Sequence, residues 1–72
     1  DMPEFVVSQP VALLDLLQAA GLIASRGEGR RLLAQGGVKL DGERIDSVAF
    51  EVPDREGILQ VGRRKFVRLV TE

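Results

Sequence analysis

Seventy-two residues with 44% hydrophobic content support one small core, and a chain this short buries only roughly 60% of its unfolded surface. With no cysteine and no histidine, disulfides, thiolate zinc ligands and the usual neutral-pH general base are all excluded. The net charge of −1 excludes a uniformly basic nucleic-acid glue, and no apolar run approaches the roughly 20 residues that span a bilayer.

The opening DMPEFVV lacks the basic region of a signal peptide, the absence of cysteine fits a reducing cytoplasm, and no membrane partner is expected. Its start at Asp1 predicts a piece excised from a longer chain, and residues 1–72 are read as a single domain. Within it, residues 1–9 form a linker or lead-in strand, with Glu4-Phe5-Val6-Val7 extended. Ser8 or Gln9 is expected to cap a first helix over Val11–Ala20, with Pro10 in its first turn. That run, VALLDLLQAA, is apolar apart from Asp15 and Gln18. The two lie three apart on one stripe, so the helix is expected to be nearly surrounded by protein. Gly21 closes it as the residue after the cap.

Ser25 followed three residues later by Glu28 is a capping-box signature and starts a second helix. At about 100° per residue, Gly29, Leu32 and Leu33 face inward, whereas Arg26 and Arg30 share an outward stripe and Arg31 lies further round. A solvated face with a Glu28–Arg31 pair is one reading of these cations. Phosphate binding is the other, because free N–H groups and the positive dipole end favour an anion near Arg26. A purely structural helix gains nothing from a cation there. Gly27 and Gly29 each cost roughly 1 kcal/mol in a helix relative to Ala. Close approach of Gly29 to Ala19-Ala20 is one expected reason; Gly27 has none short of backbone approach to a ligand.

Gly36-Gly37 leads into VKLDGERI, where Asp41-Gly42 between alternating runs predicts a two-residue type I′ hairpin. The register then places Leu40 opposite Glu43, Lys39 opposite Arg44 and Val38 opposite Ile45. Like charges across a strand pair are mildly destabilising, so Lys39 and Arg44 suggest an anionic partner, or else two cations splayed into solvent. Asp46 to Gly57 is acidic and irregular, with Phe50 and Val52 tucked inward. Ile58–Val61 and Phe66–Val70 read as strands, joined by the basic loop Gly62-Arg63-Arg64-Lys65.

Charge alternates along the chain. Residues 1–25 sum to −3, 26–44 to +2, 45–57 to −3 and 58–70 to +4. If folding brings the basic segments together, the domain carries one polyanion-binding face. No catalytic residue or metal site is expected: Ser8, Ser25 and Ser47 have no evident activating partner, and the acidic residues lack metal-ligand spacing.

The order of these motifs carries a family resemblance. An apolar helix, Ser-Arg-x-x-x-Arg on a second helix, Gly-Val-x-Leu-Asp-Gly and a basic Gly-Arg-Arg-Lys hairpin together resemble the αL RNA-binding domain, first seen in a small-subunit ribosomal protein. The stretches SRGEGRRLLAQGGVKLDGERI and ILQVGRRKFVRLV look most like the C-terminal end of bacterial tyrosyl-tRNA synthetases. The resemblance spans roughly residues 10–70. It implies an α+β fold, two packed N-terminal helices followed by a small, mostly antiparallel sheet. It also implies a non-enzymatic fragment of an ATP- and magnesium-dependent ligase, with no cofactor of its own. The fragment would be monomeric, in a homodimeric parent, and would grip structured RNA, above all tRNA(Tyr). Carried over by position, the RNA-facing residues are Ser25, Arg26, Arg30, Arg31 and Lys39. Charge geometry adds Arg44, Arg63, Arg64 and Lys65. The chain departs from the family at Gly29, where Ala is usual, and at Gly27.

Binding of this kind is phosphate-dominated, because A-form RNA hides its base edges in a deep groove. Phe5, Phe50 and Phe66 all sit in alternating apolar contexts and are predicted to be core, leaving little for base stacking. Two rival readings stand beside this one: an αL module from a pseudouridine synthase or ribosome-associated protein, and a protein-docking module that uses the acidic loop.

Overall fold

Along the chain run β1 (Glu4–Val6), β2 (Val11–Ala12), α1 (Leu13–Ala19), α2 (Arg26–Ala34) and β3 (Val38–Leu40). They are followed by β4 (Glu43–Arg44), β5 (Glu51–Val52), β6 (Gly57–Val61) and β7 (Lys65–Val70). The computed structural model describes residues 2–72. The architecture is α+β as predicted, with five strands in the order β1-β7-β6-β3-β4 and a separate β2–β5 ribbon. All pairings are antiparallel except β1 with β7. β1 adds as a parallel edge strand, with Val7 and Arg68 donating their backbone N–H groups to Val70 and Pro3.

Strand alternation decides which face of the sheet is covered. Val38, Leu40, Leu59, Val61, Val67 and Leu69 point to one side and are buried beneath the helices. Lys39, Gln60, Ile58, Phe66 and Arg68 point to the other side, which stays open to solvent. Leu13, Leu14, Leu16 and Leu17 supply the helical half of the core, while Asp15 and Gln18 mark its exposed stripe as the spacing predicts.

The first helix begins later than expected. Val11 and Ala12 pair with Val52 and Glu51, and the Leu13 N–H goes to the Phe50 carbonyl at 3.0 Å. No side chain caps α1; tertiary pairing takes the place of Ser8 or Gln9. At its other end Gly21 adopts φ +75. Gly21 and Leu22 donate back to the Gln18 and Leu17 carbonyls at 3.1 and 2.9 Å, a Schellman closure.

α2 starts as predicted. Ser25 Oγ accepts the Glu28 N–H at 3.3 Å, but the Glu28 carboxylate reaches past Ser25 to the Ala24 N–H at 2.7 Å. It is therefore engaged away from Arg31. Gly29 is buried against Leu14 and Ile23, not against Ala19-Ala20: an added Cβ would stand 2.5 Å from Leu14 Cδ2 and 2.9 Å from Ile23 Cδ1.

Candidate nucleic-acid interface

The hairpin forms with the expected register. Asp41 and Gly42 both take positive φ, +52 and +85, as a type I′ turn requires. Lys39 lies opposite Arg44 and Leu40 opposite Glu43. Val38, Leu40 and Ile45 are buried, so Lys39 and Arg44 project from the open face. Beyond the turn, the Asp41 carboxylate accepts the Ile58 N–H at 2.9 Å and an Arg55 Nη1 hydrogen at 2.9 Å. The Ile58 bond first, and the Arg55 bond second, hold its carboxyl below the usual carboxylate range.

Register also fixes where the basic tip lies. Val38 pairs with Val61, Lys39 with Gln60, and Gln60 with Phe66. The Gly62 N–H is bound to the Gly37 carbonyl at 2.6 Å. Arg63, Arg64 and Lys65 thus leave the sheet from the end where α2 delivers the chain into β3, one row above Lys39 and Arg44. A cleft of about 350 Å³ there is lined by Glu28 and Leu32 of α2, Leu22, and residues of the tip including Arg63, Arg64 and Lys65. Arg31 lines a shallower cleft with Glu28, Leu32 and Gln35.

Asp41, Glu43 and the approach to β6 through Glu56 occupy the opposite end. The separation of charge is incomplete, because Asp46 follows Arg44 on the β4 edge and Glu28 borders the basic cleft. The Glu28 carboxylate is already used at Ala24, which limits its competition for the cations.

All nine residues singled out from sequence are exposed, and two have structural partners that the sequence did not reveal. Arg26 Nη1 lies 2.5 Å from Asp15 Oδ1 on α1, so a cation at the start of α2 does serve the fold. Arg44 spreads over Gly36, where an added Cβ would meet its Nε and Cζ at 3.0 Å. That sets the guanidinium against the C-terminal turn of α2, the negative end of the helix dipole. Arg30, Arg31, Lys39, Arg63, Arg64 and Lys65 form no ion pair among the described residues.

Phe66 was expected in the core and is instead 37% exposed. Phe5 and Phe50 pack partly buried against the core as predicted. The signal for Phe66 was present in the sequence: Val67 and Leu69 claim the inner face of β7, so Phe66 and Arg68 must take the outer one.

Comparison with known proteins sets this geometry in context. The family described as the S4 domain matches residues 13–57. The chain is 47% identical over 70 residues to the tyrosine–tRNA ligase of Thermotoga maritima, covering 96% of this chain and 18% of that protein. It is 51% identical over 73 residues to the tyrosine–tRNA ligase of Moorella thermoacetica, covering 99% and 18%. For the tyrosine–tRNA ligase of Haemophilus influenzae the identity is 45% over 69 residues, covering 96% and 17%. The chain therefore spans less than a fifth of the length of these relatives.

Proposed function

The chain belongs to the S4 domain family, and from that premise we propose that it is the RNA-binding module of a tyrosine–tRNA ligase, gripping tRNA(Tyr) while another part of the parent joins tyrosine to it. One observation carries the reading. Cations from three separate segments, α2, the β3–β4 hairpin and the β6–β7 tip, gather where α2 meets the end of the sheet. Assembling like charge without internal partners costs stability, and a ribose-phosphate track offsets that cost. Identity of 45–51% between almost the whole chain and one stretch of several ligases supports the choice of parent over a pseudouridine synthase.

The mechanism is electrostatic. Arg30, Arg31, Lys39 and the tip cations neutralise backbone phosphates and release their counterions; Arg26 and Arg44 contribute from positions fixed by Asp15 and Gly36. The domain orients the RNA and takes no part in bond formation.

Titration of tRNA(Tyr) at two salt concentrations tests this. With about four phosphates neutralised, affinity is expected to fall roughly 100-fold between 50 and 200 mM salt. Arg63→Gln/Arg64→Gln/Lys65→Gln is expected to weaken binding and flatten that slope. Equal affinity for a ribosomal RNA fragment would overturn the assignment to tRNA, and absence of salt-sensitive binding would overturn the RNA reading itself.

A further inference from the structure

Across the open face, the row nearest the basic tip reads Arg44, Lys39, Gln60, Phe66 in register. Extending the pairing of Glu4 with Arg68 by two residues places Met2 beside Phe66 on the far side. The two residues are 36% and 37% exposed. They line a cleft of about 400 Å³ with Pro3, Leu22, Arg64 and Lys65. An aromatic ring is thus left more than a third exposed within a row of polar and cationic side chains, while the inner face of the same strand is taken by Val67 and Leu69.

We propose that Phe66 is a stacking surface for one unpaired base of the bound RNA, with Arg64 and Lys65 holding the phosphate of that nucleotide. The inference rests on the RNA reading above and adds to it a contact that reads unpaired RNA rather than phosphate alone. The chemistry fits a nucleotide on each count. The flat ring offers a π-face that any base can use, and base–aromatic stacking is tolerant of sequence. Phenylalanine has two side-chain torsions and loses little entropy when a ligand settles on it. Met2 provides a polarizable flank. Gln60, in the neighbouring strand roughly 4.8 Å away, carries both a donor and an acceptor beside the ring, which suits the edge of a base. Paired bases in an A-form stem are stacked on each other and cannot reach the ring, so the partner must present a bulged, looped or terminal nucleotide.

The test uses the 72-residue chain with two RNA hairpins, one fully paired and one with a single unpaired 2-aminopurine at mid-stem. The wild-type chain is expected to bind the bulged hairpin roughly 10-fold more tightly than the paired one, and to change the 2-aminopurine fluorescence on binding. The measured quantity is the ratio of the two affinities, so a general loss of phosphate attraction cancels. Phe66→Leu is expected to bring the ratio close to one, and Phe66→Trp to keep it. Binding of both hairpins with equal affinity by the wild-type chain overturns this inference and leaves the RNA reading standing; binding of neither at low salt overturns both. A ratio preserved in Phe66→Leu shows that Phe66 merely seals the sheet edge with Met2. Should that variant unfold, Phe66→Met replaces it, and an unchanged ratio and fluorescence response there overturn the proposal.

Discussion

Asp15 Oδ1 lies 2.5 Å from Arg26 Nη1, tying the exposed stripe of α1 to the first residue of α2. The two side chains remain 56% and 47% exposed, so water screens the pair and it stabilises the fold by less than about 1 kcal/mol. In the proposed complex its larger consequence is for binding, because the carboxylate and an RNA phosphate would compete for one guanidinium. Asp15→Asn is expected to cost little stability and to raise RNA affinity by roughly threefold at low salt, the scale of one screened charge. The gain should shrink at high salt. Unchanged affinity in a filter-binding or anisotropy titration would mean that Arg26 meets no phosphate.

Asp41 joins turn chemistry to tertiary structure. The left-handed backbone there suits Asp or Asn, while its carboxylate anchors both Ile58 and Arg55. Its carboxyl is held below the ordinary value of 3.8 in the folded chain. The stabilisation is therefore fully present above 3.8 and is lost as pH falls through the lower folded value. Asp41→Asn keeps the turn and removes the charge. It is expected to melt below the wild-type chain at neutral pH, with the two Tm values converging between about pH 5 and about pH 2. A constant gap in thermal melts across that range would place the effect of Asp41 elsewhere than in its charge.

The hairpin was legible in the sequence because Asp41-Gly42 and strict alternation leave a single register with an apolar inner face. The second helix was legible because Ser25 and Glu28 are local signals. What escaped was set by partners far along the chain. Val11 and Ala12 have no local reason to leave the helix; Glu51 and Val52, some forty residues on, take them into a ribbon. Arg26 looked unattached because Asp15 reaches it only once the two helices pack. Phe66 was misplaced for a different reason: apolar residues follow it on β7 and suggest a core strand, and only the inward claim of Val67 and Leu69 turns its ring outward.

Leu16 is fully buried in α1, amid the leucines that cover the sheet. Leu16→Ala is expected to cost 2–5 kcal/mol. A domain of this length commands roughly 4–11 kcal/mol in total at typical per-residue stability, so about half would be lost. Gln18→Ala, two positions on and exposed, should stay within about 0.5 kcal/mol of wild type. Urea denaturation of the two variants separates them. A small loss at Leu16 would show that the helix is free to settle into the space left behind.

Gly27 and Gly29 sit two residues apart in α2 and answer to different constraints. At Gly29 an added methyl would meet Leu14 and Ile23 at 2.5 and 2.9 Å. Overpacking of this kind costs roughly 1–3 kcal/mol, set against a helix-propensity gain of roughly 1 kcal/mol. Gly29→Ala is therefore expected to destabilise by about 1 kcal/mol. Ala at this position would need smaller or shifted neighbours, which Ile23→Val tests by relieving part of the loss. At Gly27 the nearest atom to an added Cβ is Ser25 Oγ at 3.9 Å, so nothing in the fold requires glycine there. Gly27→Ala is expected to stabilise by roughly 0.5–1 kcal/mol. If an RNA backbone closes on the start of α2, the same substitution must also weaken RNA binding, because the methyl stands where a phosphate would approach. Higher Tm with reduced affinity would locate the RNA at the Ser25–Gly27 turn. Higher Tm with unchanged affinity would exclude that turn from the interface and shift the phosphate contacts toward Arg30 and Arg31.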